Sequence, residues 1–235
     1  MKRYKQLVFW GLLVSMGIVA SCSNPVKDEQ ADIEQAYQDS LAQASIDEEI
    51  IETYLEDNGY TNVSSTEDGV RYGVVSVGDG VFAEINQIVS LDYIGKLTNG
   101  EIFDTSIKEV AIYEDSLAWV ADGVDIAAAM AETGFDIETT LDSLQYYDGS
   151  VSGIYSSLKS YRPMTYNYIA SGAGIPSGAI KGYREAVKYL TPEIGTGGEG
   201  MTIFPSALGY GTAELTNIPA NSVLIFEFYV DNIRP

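Results

Sequence analysis

Residues Val89 to Ser106 constrain the fold of this chain more than any other stretch. Val89, Leu91 and Tyr93 alternate with small or polar neighbours, which is the period of a strand with one buried face. Asn99-Gly100 then supplies the strongest short turn signal, because both residue types tolerate positive φ. The returning strand delivers Phe103 and Asp104, an aromatic ring followed at once by a carboxylate. The stretch reads as a hairpin of an antiparallel sheet.

The residue inventory excludes large parts of enzymology. The 235 residues contain no histidine and one cysteine, Cys22. Thiol catalysis, Cys/His zinc sites and Ser-His-Asp triads lack their parts, and no internal disulfide can form. No metal site and no cofactor is expected. The 13 Lys+Arg face 34 Asp+Glu, a net charge of −21. Such a surface repels nucleic acid and anionic lipid head groups, and its plain meaning is solubility. Gly195-Thr196-Gly197-Gly198-Glu199-Gly200 has the form G-x-G-x-x-G, but it follows a helical pattern and precedes a strand. That is the reverse of the order a dinucleotide site requires, and Glu199 would repel phosphate.

In chain order, residues 1–21 read as a secretory signal: Lys2, Arg3 and Lys5, then an apolar run from Leu7 to Ala20 that is short for a membrane span. Val19-Ala20-Ser21-Cys22 resembles a bacterial lipobox. That resemblance implies lipidation of Cys22 and tethering at a bacterial cell envelope, on an outer-membrane, periplasmic or surface-facing side. Residues 22–44 are polar and acidic and read as a tether. Within residues 45–69, Ser45-Ile46-Asp47-Glu48 has the form of a capping box that starts a helix. Ile46, Ile50, Ile51, Tyr54 and Leu55 follow at helical spacing, and Asn58-Gly59 supplies a stop. From residue 70 the globular domain begins, with Val70, Tyr72 and Val74 alternating toward Gly78-Asp79-Gly80. The length beyond the signal suits one domain with a sizeable core.

Tyr93 to Ser106, read as Tyr-x-Gly-x-Leu-x-x-Gly-x-x-Phe-Asp-x-Ser, resembles the signature hairpin of the FKBP-type peptidyl-prolyl cis-trans isomerases. The strand ending at Gly78-Asp79-Gly80 resembles the opening of that domain. Ala179-Ile180-Lys181-Gly182-Tyr183 resembles the start of its single helix, and Tyr183, Ala186, Val187 and Leu190 form an apolar stripe. Phe204-Pro205 to Tyr210-Gly211 and Asn217-Ile218-Pro219 resemble the segments that follow. Val223 to Ile233 is a last strand with Leu224, Phe226, Phe228 and Val230 on one face. The resemblance covers residues 70–106 and 162–235. Residues 107–162 interrupt it, with ten acidic and no basic residues between Glu109 and Asp148. A stretch of that length needs structure of its own, and Asp125 to Glu132 suggests a short helix. It would be a flap that captures clients, or an elaboration covering a sheet edge.

The resemblance implies an α+β fold, an antiparallel sheet wrapped around one short helix, with an insertion and an N-terminal helix. It implies isomerisation of X–Pro bonds in exported proteins, with proline-containing polypeptides as clients, macrolides as further ligands, and membrane contact through lipid on Cys22. Tyr183 would be the floor of the pocket, and Tyr93, Phe103 and Phe226 its walls. Asp104 would lie beside the twisting amide, and the Ile180 N–H and Tyr210 hydroxyl would hold substrate carbonyls. Met164 and Ala179 would complete the lining. The family usually has an aromatic where Met164 stands, often Trp at Tyr183, and a larger aliphatic at Ala179, so this pocket is wider. The rival reading is a catalytically weak binding or chaperone module that keeps the pocket and makes contacts through the insertion.

Overall fold

The computed structural model describes residues 25–169, 174–175 and 179–235. Cys22 and residues 1–21, read above as a signal, lie outside them. The chain divides into two units, Met1–Ser40 and Leu41–Pro235. Helix α1, Pro25–Asp57, starts in the first unit, where its side chains from Glu29 to Ser40 are exposed.

The helix therefore begins far upstream of Ser45, and the capping-box reading is wrong. Residues 30–44 are mostly good helix formers, and Gln–acid pairs one turn apart support the exposed surface: Gln38 on Glu34 at 2.8 Å and Gln35 on Asp39 at 2.7 Å. Glu48 does not reach back to Ser45 but pairs with Arg71. The expected apolar stripe also shifts, because Ile46 is 51% exposed and its neighbour Asp47 is buried. The helix ends as its sequence predicts. Gly59 takes φ +71°, its N–H donates to Glu56 O, and Tyr60 N–H donates to Leu55 O at 2.9 Å. This is a Schellman turn, and Tyr60 stacks back on Tyr54.

Among the described residues, seven strands form one antiparallel sheet: β1 Ser64–Ser65, β2 Arg71–Ser76, β3 Ile88–Leu97, β4 Ile102–Thr105, β5 Met164–Asn167, β6 Glu199–Phe204 and β7 Leu224–Arg234. The order is β1-β2-β6-β7-β3-β4. The β3–β4 turn is not built from two positive-φ residues. Only Gly100 has positive φ (+90°), and the Asn99 side chain accepts from Glu101 N–H at 3.0 Å. Leu97 pairs with both Gly100 and Glu101, so the loop is one residue longer than a two-residue hairpin.

β4 and β5 flank the same strand. β4 pairs with Ile94–Lys96 of β3 and β5 with Ile88–Leu91, so together they make one edge, broken in the middle. Residues 107–162 leave from that break. They contain α2 (Lys108–Ala121), α3 (Ile126–Thr133) and α4 (Ile137–Tyr147) around a core of Ala111, Trp119, Ile126, Leu141 and Tyr155. Much of the acidic character serves local structure. Asp125 caps α3 and Asp136 caps α4.

The two faces of the sheet bury two cores. Helix α5, Lys181–Leu190, lays Tyr183, Ala186, Val187 and Leu190 on the face that carries Phe204, Phe226 and Phe228. Gly182 permits this contact, since a Cβ there would come within 2.3 Å of the Phe204 ring. Ile51 and Leu55 of α1 cover the other face, on Met201, Ile203, Val223 and Ile225. Inward positions thus alternate along β6 and β7 with the period of the pleat. Asp47 accepts from both the N–H and the hydroxyl of Ser206, at 2.9 and 2.7 Å, and Gln43 satisfies its other oxygen. Ser206 opens the short 3₁₀ turn Ser206–Leu208 that leads to Tyr210. Asp47→Ala removes the acceptor from two buried donors and is expected to lower stability by about 1–3 kcal/mol in urea unfolding. An unchanged midpoint would show that this tie does not hold the turn.

Candidate functional site

The hairpin aims Asp104 by fixing its neighbours. Thr105 donates its hydroxyl to Tyr93 O at 2.8 Å. The Ser106 hydroxyl accepts from Tyr93 N–H at 2.9 Å and donates to Asp92 at 2.6 Å. With the strand end clamped, the Tyr93 hydroxyl donates to Asp104 Oδ2 at 2.8 Å. Burial, then the Asp104 charge and this hydrogen bond, push the Tyr93 phenol far above the ordinary tyrosine range. The Tyr210 phenol is pushed up as well, first by burial and then by Asp104, so Tyr210 lies within reach of the same carboxylate's field.

Aromatic rings make the rest. Tyr183, 3% exposed, meets Tyr93 edge-on with centroids 5.7 Å apart and Phe226 at 5.2 Å; Phe103 meets Phe226 at 5.6 Å. Gly95 is required here. A Cβ at that position would stand 2.8 Å from Phe103 and 3.0 Å from Phe226. The Tyr183 hydroxyl donates to Met164 Sδ at 3.2 Å, so two of the three unusual residues of the pocket are partners.

Tyr93, Phe103, Asp104 and Met164 line one cavity of about 330 Å³ together with Ala179, Ile180, Tyr183, Tyr210 and Phe226. All nine residues singled out as a pocket in the sequence therefore meet in space. A larger groove, about 630 Å³, lies along Val120, Ile126, Met130 and Ile137. It offers no converging polar groups, and its carboxylate, Asp125, is occupied in capping α3.

Sequence reasoning missed Lys159. The insertion returns to β5 through a strap, residues 150–163, and Lys159 Nζ binds Asp104 Oδ1 at 2.5 Å. Buried Asp115 pins the strap by accepting from Ile154 and Tyr155 N–H, at 2.8 and 3.0 Å. Ser152 bonds Asn217, on the loop beyond Tyr210. The one available signal was that Lys159 is the only basic residue between Glu109 and Tyr161.

Similar proteins bear on this arrangement. The chain matches no family model. The FKBP-type 22 kDa peptidyl-prolyl cis-trans isomerase of Escherichia coli is 38% identical over 55 residues, 23% of this chain and 27% of that protein. The FKBP-type peptidyl-prolyl cis-trans isomerase FkpA of Buchnera aphidicola is 40% identical over 55 residues, 23% of this chain and 20% of its own length. Both relatives are named FKBP-type peptidyl-prolyl cis-trans isomerases, and the likeness covers 55 residues in each. The chain spans about a quarter of these relatives or less. The backbone is also similar to the crystal structure of FkpA from Escherichia coli, with a TM-score of 0.42 at 20% identity over 92% of this chain and 75% of that one. The domain here is α+β, with its antiparallel sheet packed on α5 and with α1 preceding it.

In the folded domain Tyr93 keeps its proton above pH 10, where an unfolded tyrosine ionises. The folded state then binds more protons than the unfolded one, so stability falls as pH rises past about 10. Tyr93→Phe is expected to flatten that fall in denaturant titrations between about pH 9 and 11. An identical slope would place the burden on other tyrosines.

Proposed function

We propose that this chain is a peptidyl-prolyl cis-trans isomerase that acts on X–Pro bonds of exported proteins from a lipid anchor on Cys22. One observation carries the reading: nine residues scattered from 93 to 226 line a single apolar cavity with one carboxylate at its wall.

Rotation about an X–Pro bond crosses a barrier of about 20 kcal/mol, set by amide resonance. No nucleophile is needed, which agrees with a chain without histidine. The proline ring would rest on Tyr183, between Phe226 and Phe103. Twisting the amide removes resonance and leaves the carbonyl less polar, so a dry aromatic cavity favours the twisted form over both planar ones. The Tyr210 hydroxyl and the Ile180 N–H would hold the flanking carbonyls. Asp104, fixed by the Tyr93 hydroxyl, would orient the groups around the rotating bond. Macrolides would compete for the same cavity.

A second reading has its own support. Tyr146, Tyr147 and Leu158 of the insertion are 82, 83 and 96% exposed. Apolar side chains presented this way suit a module that holds unfolded clients and isomerises them slowly.

The test is cis/trans exchange of a short X–Pro peptide with the full chain, followed by NMR. Tyr210→Phe and Asp104→Ala are each expected to lower kcat/KM by roughly tenfold, the worth of one hydrogen bond or charge contact in a dry site. Exchange no faster than the uncatalysed rate would reject the isomerase and leave the holding module.

A further inference from the structure

The Lys159–Asp104 pair is a poor choice for stability and a pointed one for the pocket. Its side chains are 32% and 41% exposed, and an ion pair so open to water adds little to folding. Yet a whole turn is built to aim this lysine. Ser156 N–H donates to the Tyr161 hydroxyl at 3.0 Å, and that hydroxyl donates to Ile154 O. Ser157 N–H donates to Asp142, and Lys159 N–H donates to Ser156 O at 3.0 Å. Lys159 Nζ also sits 5.1 Å over the Tyr161 ring, a cation–π contact that holds it from the far side.

Charge explains the effort. Asp104 lines the cavity, and a second carboxylate, Asp92, accepts from the hydroxyl of Ser106, two residues further along the strand end. Without a cation this wall would be negative, in a chain whose net charge is already −21. It would repel any segment that carries a carboxylate beside its proline. The FKBP pattern of this hairpin ends at Ser106, so the cation comes from the insertion.

We propose that Lys159 is a specificity-determining residue: by neutralising Asp104 it lets the pocket accept proline segments with acidic neighbours. This rests on the reading of the cavity as a proline site. It gives the insertion a defined task there, to supply a cation to Asp104, since the hairpin's own lysine, Lys96, is paired with Glu227.

The test compares two peptides that differ only in the residue before proline, glutamate or lysine, with the full chain at low salt. Exchange and chemical-shift titration are read in the same samples. The wild-type chain should treat the two peptides within about twofold, and Lys159→Met should favour the lysine peptide by roughly fivefold in Kd and in kcat/KM. Lys159→Arg should restore the balance. Asp104→Asn leaves the lysine uncompensated, and its Kd ratio should swing toward the glutamate peptide. A merely structural loss would weaken both peptides alike. Equal Kd ratios in wild type, Lys159→Met and Asp104→Asn would overturn the proposal. Binding without exchange in the wild-type chain would count against the isomerase alone, since the Kd ratios still report on Lys159.

Discussion

Phe226 is the side chain on which the structure turns. It packs against Tyr93, Phe103 and Tyr183 on the cavity side and stacks with Phe204 and Phe228 deeper in the sheet. The same rings are therefore the wall of the site and the top of the core. Edge-to-face packing lets each ring meet its neighbour's face with its positive edge, which fixes orientation as well as contact. Two glycines make the approach possible. Gly95 clears space for Phe103 and Phe226, and Gly182 lets α5 settle on Phe204. Both belong to the short motifs that resemble the family, so those motifs encode backbone clearance as much as chemistry.

The departures from the family pattern are coupled rather than independent losses. A tyrosine at 183 places a hydroxyl at the buried floor of the cavity, and burial pushes that phenol well above its ordinary range. Met164 answers it with a sulfur acceptor at 3.2 Å. A flexible thioether also fills irregular space better than a rigid ring. Met164 and Tyr183 thus pack the cavity floor together, and the wall carboxylate Asp104 is tied at both oxygens, by Tyr93 and by Lys159.

Legibility in the sequence followed the range of the interactions. The β3–β4 hairpin, α5 and β7 were readable because periodicity and turn residues are local signals. The nine cavity residues were readable because each sits within a short motif. The start of α1 was not, since Ser45 to Glu48 satisfies a capping pattern equally well inside a longer helix. Asn99 tolerates positive φ but does not use it, because its side chain finds Glu101 N–H instead. In the insertion α3 was visible through its alanines and Asp125. α2 was missed because its apolar residues show no clean stripe. Asp47, Asp115 and Lys159 were illegible for another reason. Each is a charged residue whose role is set by a partner distant in sequence, and even the isolation of Lys159 among acidic residues does not name that partner.

The proposed site seats a proline ring on Tyr183 beneath Phe226. The most direct measurement is a set of intermolecular NOEs between the full chain and a bound X–Pro peptide with an isotope-labelled proline. NOEs are expected from the proline ring protons to the aromatic protons of Tyr183, Phe226 and Phe103. Proline contacts confined to Tyr146, Tyr147 and Leu158 of the insertion would contradict it.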